Sequence, residues 1–371
     1  MRWRRRARRD PNAEVVRITE QLWQEAEAAG VPEDKFVEAV LDGLYKSIPP
    51  VVERLIHDMP AMLRNRRRRI RGFERRLRKR WGRALDLYRA TLEAALEAGS
   101  DFNQEHRPRA AEENDFLFEA LTRLHARACL TTSEVYTLLR AGYSEGAYAR
   151  WRTLHELAVV AIVLVEQGQE KDLAERFLLH EQAEQAWDAA SYQQHAPALG
   201  YEPFTEEEME HLDRTREGLV RRFGTEFVRP RGWAAVLFQP ERPPTFSKLE
   251  EMAGMAHMQP WFKLTSHMVH AGSKGAALNV KTRGPYRFLT AGPTNADLAD
   301  PGHGALIALT QVTTCLLLRT RTDSIHEEPM RVVVAKALLQ LTEKAGDEFL
   351  AAHVRLERDE ESVWPGTSPA A

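Results

Sequence analysis

The chain has 371 residues, 43% of them apolar and 29% charged, with 52 Lys and Arg against 54 Asp and Glu and two Cys. This excludes a disulfide scaffold, a collagen-like repeat and a wholly disordered polymer, and the length is enough for two or three units with real cores. The net charge of -2 hides an uneven distribution: residues 1–9 carry six Arg and no acid, residues 64–83 carry twelve Arg or Lys against one Glu, and the other 342 residues sum to -19. A basic arm and a basic helix on an acidic body point to a polyanionic partner or to the body itself.

Almost every segment repeats its apolar residues with a period near 3.6, and almost none with a period of two, so the fold class is all-α: a multi-helix bundle with a basic N-terminal helical extension. Phe36, Val37, Val40, Leu41 and Leu44 form a first stripe. Pro49, Pro50 and Pro60 punctuate it, and a long helix is expected from about Ala61 to Glu97 on the line Ile70, Phe73, Leu77, Trp81, Ala84 and Tyr88. Residues 99–112 are polar, contain a Gly and a Pro, and read as a linker. The chain then divides into a basic N-terminal region (1–98), a helical core (113–325) and a C-terminal helix with a disordered tail (326–371).

In the core, Phe116, Leu117, Ala120, Leu121, Leu124, Val135, Leu138 and Leu139 predict a helix that Gly142 ends. Ser144 is placed to cap the next helix, which stops near Gly168. Capping boxes are expected at Thr205 with Glu208 and at Ser247 with Glu250. Residues 229–246 are Pro-rich and irregular, WFKLTSHMVHAG is a short helix broken at Gly272, and the stretch to about 304 is a long loop. Last helices follow at about 303–323 and 328–352.

Cys129 and Cys315 have no CxxC spacing, so neither a zinc site nor a disulfide framework is indicated. The N-terminal arginines are followed by PNAEVVRITE, which lacks the apolar core of a secretory or twin-arginine signal. The longest apolar runs, Leu157–Val165 and Ala305–Leu318, fall short of the roughly 20 residues a bilayer needs. A cytoplasmic protein is expected, with no membrane span, no cofactor and no metal. Neither GxGxxG, GxxxxGK[ST] nor GxSxG occurs, so no nucleotide fingerprint or hydrolase elbow is present.

The most informative segment runs from Gly142 to Glu156. Glu145, Arg152 and Glu156 are seven and four residues apart, so on a helix they fall within about 40° of one another and form one polar line. Gly146, Ala149 and Thr153 make a neighbouring line of small residues that lets another helix approach. An Arg–Glu pair of this kind either fixes helix register or forms part of a site. Ser266, His267 and His270 precede the Gly272 break. The two His are three apart and share a helix face, which with Glu156 and His180 would make a cluster of carboxylate and imidazole groups; a hydrogen-bonded, metal-free cluster is the plainer reading.

Arg150 and His155 (RWRTLH) fit the ribonuclease signature of HEPN-type helical toxins, an Arg and a His separated by four to six residues. That resemblance implies metal-independent RNA cleavage, with His155 as general acid or base and Arg150 stabilising the phosphorane. An offset of five, however, puts the two side chains about 140° apart on a regular helix. The basic helix supplies a different expectation. Arg64, Arg67, Arg68, Arg71, Arg75 and Arg78 suit phosphate contact, so nucleic acid is a candidate partner; pairing with the acidic body, for example Glu206, Glu207, Glu208 and Glu210, or within a homo-oligomer competes with it, and an anionic membrane surface is a third option.

The segments RAGYSEGAYARWRTLHELAVVAIVL, ERFLLHEQAEQAW and TSHMVHAGSKG resemble a bacterial family of uncharacterised helical proteins, domain of unknown function 5677, over about residues 115–320. The resemblance implies an all-helical fold and a shared polar cluster at Arg152, Glu156, His180, Ser266 and His270, and it implies no known reaction. The leading expectation is a binding or regulatory protein that contacts nucleic acid through the basic helix; the competing class is the ribonuclease of a toxin or phage-defence system.

Overall fold

A computed structural model describes residues 11–32, 35–168, 172–239, 243–278, 280–283, 286–319 and 329–363. The chain divides into two compact units, Met1–Phe73 and Glu74–Ala371. The basic arm at residues 1–9 and the tail beyond 363 lie outside the described residues.

The first unit holds α1 (Pro11–Ala28) and the opening part of α2 (Phe36–Glu113). α1 has no counterpart among the expected elements. It ends where Gly30 takes a left-handed φ of 69°. There the Gly30 amide bonds the Glu27 carbonyl and the Val31 amide the Ala26 carbonyl, so two otherwise orphaned acceptors are satisfied. Leu22 of α1 lies on Gly43 of α2, where a Cβ would fall 2.7 Å from a Leu22 methyl.

α2 overturns two expectations. It is continuous for 78 residues through Pro49, Pro50 and Pro60. Proline carries a helical φ of its own, but each interior ring deletes a backbone bond and crowds the preceding turn, so the helix passes these positions at a cost of about 3 kcal/mol each. The stretch 99–112, read as a linker, is helical as well. Phe102 is buried there, stacked on His106 at 4.3 Å and lying 6.2 Å from Phe118. Gly99, read as part of that linker, is a close-approach position: a Cβ would stand 2.1 Å from the His125 ring.

In the second unit, α3 (Phe116–Ala141), α4 (Ser144–Gln167), α10 (Ala299–Leu318) and α11 (Pro329–Val363) pack together, and the later part of α2 lies against α3 and α11. Tyr88 is fully buried, its hydroxyl donating to the Thr132 carbonyl of α3 at 2.9 Å and its ring edge-on to Phe349 of α11. Trp81, one helix face with Tyr88, donates its indole N–H to Asn295 Oδ1 at 3.0 Å. Around this core run α5 (Leu173–Leu199), α6 (Glu206–Phe223), and tight 3-10 turns at Thr225–Val228 and Gly232–Leu237. α7 (Phe246–Met252) and α8 (Gln259–Val269) lie against α4.

Gly142 ends α3 with a φ of 80°, as its place in the sequence predicts, and Thr205 with Glu208 forms the expected capping box. Two other caps differ. Ser144 is the buried first residue of α4, and Tyr143 precedes it without a side-chain cap. Thr245, not Ser247, caps α7 by accepting from the Lys248 amide, which leaves Glu250 to point inward. The long loop expected after Gly272 contains a short helix, α9 (Ser273–Leu278), and an antiparallel hairpin of β1 (Val280–Arg283) and β2 (Tyr286–Leu289). α10 begins earlier than expected, and at 20 residues it is long and apolar enough by length and composition to cross a bilayer; most of it is buried against α3, α4 and α11.

Candidate functional site

The basic segment lies in the middle of α2. Arg64, Arg66, Arg67, Arg68, Arg69 and Arg71 are all exposed, with no acidic residue between them. Arg64 and Arg66 to Arg69 make no ion pair among the described residues. Further along, Arg75, Arg76 and Arg78 are also exposed, and the apolar line behind them, Leu77 and Trp81, is buried. The ion pairs here are peripheral: Arg78 to Asp86 at 2.9 Å, Arg80 to Asp359 at 2.7 Å and Arg83 to Glu348 at 3.9 Å. Exposed pairs of this kind contribute about 0–1 kcal/mol. Of the acidic residues considered as internal partners, Glu208 closes its capping box with Thr205 and Glu210 pairs with Arg214 at 3.2 Å.

The second arrangement is built on α4. Arg152 is half-buried and held from three sides: its Nε lies 3.3 Å from Glu156 Oε1, its Nη1 donates to Ser266 Oγ of α8, and its guanidinium stands 4.1 Å over the Phe262 ring. The four-residue offset on α4 creates the pair with Glu156, and the same offset on α8 places Phe262 and Ser266 on one face to receive it. Arg152, Glu156 and Ser266 therefore meet. His180 and His270 do not join them. His180 is buried between α5 and the Thr225–Val228 turn, 3.0 Å from the Arg229 carbonyl and edge-on to Trp187 and Phe227. His270 is exposed at the C-cap of α8, where the chain has turned to an extended conformation. The proposed cluster of three helices thus reduces to a clamp of two.

Arg150 and His155 face different neighbours, as their spacing implies. Arg150 turns toward α3, with Nε 2.5 Å from Glu134 Oε2 and Nη2 3.4 Å from Thr131 Oγ1. His155 turns toward α7, its Nε2 2.7 Å from Glu250 Oε1, with both side chains 2% exposed. Trp151, Phe246 and Phe262 enclose the imidazole. The two residues present no common reactive face.

The His155–Glu250 pair has opposed electrostatics. Burial pushes the imidazole down to about 4, with Glu156 pulling the other way. Burial pushes the Glu250 carboxyl up to about 7, against the pull of Lys263 and Arg152. Each shift favours the uncharged form, because desolvation penalises the charged one. Neither group is open to a substrate, and their contact ties α4 to α7. Sequence reasoning assigned Glu250 to a surface capping box, and no local signal marks it as a core residue. Among the described residues, no group of three or more His, Cys, Asp or Glu is arranged to hold a metal ion.

No curated protein and no solved structure matches the chain. Residues 118–285, from the first turn of α3 to the hairpin, match a family of unknown function (DUF5677), the family that the Arg152–Glu156 and Ser266 segments resemble, and the match leaves the basic segment of α2 outside it.

Proposed function

We propose that the protein binds nucleic acid through the basic segment of α2, with the phosphate backbone as the recognised feature. The observation that carries this reading is the run of six exposed arginines from Arg64 to Arg71. At 1.5 Å and 100° per residue, Arg64, Arg67, Arg68 and Arg71 span about 10 Å within about 100° of one another, so four of the six charges share one face of the helix. Arginine also offers a planar, bidentate fork to each phosphate, which lysine does not. Binding of this kind is insensitive to sequence and steep in salt. The clamp made by Arg152, Glu156 and Ser266, and the buried His155–Glu250 pair, hold the helical core together in this reading and do no chemistry. The reading implies a cytoplasmic protein.

Titrating the protein with a short DNA or RNA duplex at several salt concentrations tests this. Log affinity should fall linearly with log salt, and changing Arg64, Arg67 and Arg68, which share one face of the helix, to Ala should reduce that slope by about 2.7, or about 0.9 for each phosphate no longer neutralised. An unaltered slope and affinity in the triple variant would remove the basis of the proposal.

A further inference from the structure

A cavity of about 370 Å³ opens between α4, α8, α10 and α11. That volume lies within the range of small-molecule sites. Its walls are aromatic. The Tyr148 and Trp261 rings are nearly parallel, 8° apart in plane with centroids 6.4 Å apart. Trp151 lies against the backbone of α10, where a Cβ on Gly304 would fall 2.6 Å from the indole nitrogen. Gly304 therefore sets how deep this wall can sit.

Besides the Tyr148 phenol, the titratable groups of the cavity are two carboxylates and two imidazoles, those of His303 and His353. Asp300 and Asp347 supply the carboxylates, and no Lys or Arg lines the cavity. Asp300 already accepts from the Tyr148 hydroxyl at 3.0 Å, which orients the carboxylate. His303 also lines the cavity: burial lowers its pKa, and both Asp347 and Asp300 act on the ring in the opposite direction. Its ring rests on Gly346, where a Cβ would come within 2.5 Å. Two carboxylates thus line a pocket that four large aromatic rings, Tyr148, Trp151, Trp261 and Phe349, share with the two imidazoles and with aliphatic side chains. Aromatic faces carry negative quadrupole potential, so rings and carboxylates attract the same class of ligand and repel anions.

We propose that this cavity binds a small organic cation, its ammonium group held by Asp300 and Asp347 and its carbon body lying against Trp151, Trp261 and Tyr148. The site is separate from the arginine segment of α2, which contributes no residue to it, and nothing in the proposal depends on nucleic-acid binding. A phosphate or carboxylate ligand would meet two like charges with no Lys or Arg to offset them, and a neutral ligand would gain the packing without the electrostatic attraction.

Calorimetric titration of the full chain with choline, tetramethylammonium and benzylamine, beside the neutral carbon isostere of choline, tests the idea. At least one cation should bind and raise the melting temperature, and the isostere should bind at least about tenfold more weakly than choline where choline binds. Asp347 and Trp261 are exposed at the rim, so Asp347→Asn and Trp261→Ala should fold normally, with unchanged circular dichroism, and each should weaken the cation about fivefold or more. Failure of all three cations to bind at about 10 mM overturns the proposal, as does equal binding of the neutral isostere. Unchanged affinity in Asp347→Asn overturns it too.

Discussion

Residues 41–62 and 77–102 lie on the same helix and carry the same kind of apolar pattern, yet their surroundings are opposite. Leu41, Tyr45, Ile48, Val52, Leu55, Met59 and Met62 follow one another at alternating steps of four and three, and every one is at least 43% exposed. Leu77, Trp81, Ala84, Tyr88, Leu92, Ala95 and Phe102 follow at helical spacing too, and none is more than 3% exposed. Periodicity identifies the face of a helix that would profit from burial, but it does not supply the neighbour. In the second unit α3 and α11 supply it through Tyr136, Phe118 and Phe349. Helix content is therefore a weaker guide to stability along this chain than the identity of what each turn touches.

The comparison is most sharply tested by truncating one leucine from each region. Leu85→Ala, at a fully buried position, should destabilise the protein by about 2–5 kcal/mol, and Leu55→Ala by less than about 0.5 kcal/mol, in urea unfolding. A loss at Leu55 as large as that at Leu85 would mean that the exposed stripe is covered in solution, and the contrast would fail.

Glycines sharpen the same point, because two of them on α2 face different surroundings. Gly99 abuts His125, so Gly99→Ala should cost about 1–3 kcal/mol through overpacking. Gly82 meets only the flexible Arg78 side chain at 3.8 Å, so Gly82→Ala should stabilise the helix by about 0.5–1 kcal/mol. Thermal melts of both variants decide the matter, and equal signs would contradict the packing described.

The buried pair that ties α4 to α7 gives a pH test with smaller steps. The Glu250 pKa is raised from 4.5 to about 7, so its contribution to stability is full below pH 4.5 and is lost as pH rises through 7. The His155 pKa is lowered from 6.5 to about 4, so its contribution is full above pH 6.5 and is lost as pH falls through 4. Between pH 4.5 and 6.5 the two slopes oppose each other and largely cancel. Single substitutions should unmask them: Glu250→Gln leaves stability rising with pH over 4–6.5, and His155→Gln leaves it falling over 4.5–7, each by at most about 1.4 kcal/mol per pH unit. Denaturant unfolding at half-unit intervals of pH measures both, and parallel profiles in the two variants would refute the assignment.

Much of the fold is legible in the residues. The Leu77, Trp81, Ala84 and Tyr88 face, the Gly142 cap and the Thr205–Glu208 capping box follow from interactions within one or two helical turns. The Arg152–Glu156 pair is likewise an offset of four on one helix. The rest of the candidate site is not legible in local spacing, because its partners are remote: Ser266, grouped with Arg152 by the family resemblance alone, reaches it across 114 residues, and Glu250, which nothing grouped with His155, reaches it across 95. No spacing rule operates over such distances. A glycine or proline in a helical pattern is ambiguous for a related reason, since its effect depends on what lies opposite. Gly99 reads locally as part of a linker and Gly304 falls at the junction of the expected loop and helix, but each permits a ring to approach the backbone.

By itself the sequence determined that the chain is helical, which face of most helices is apolar, and that positive charge is concentrated in one stretch of α2. These follow from 3.6-residue periodicity, end-capping chemistry and composition, all of which act between near neighbours. Only the tertiary structure decided that residues 99–112 continue the helix, that His180 and His270 stand apart from Arg152, and that Tyr148, Trp151, Trp261, Asp300 and Asp347 surround one cavity. Those outcomes depend on how whole helices cross and on which side chains fill the space between them, and the packing of several elements sets them jointly.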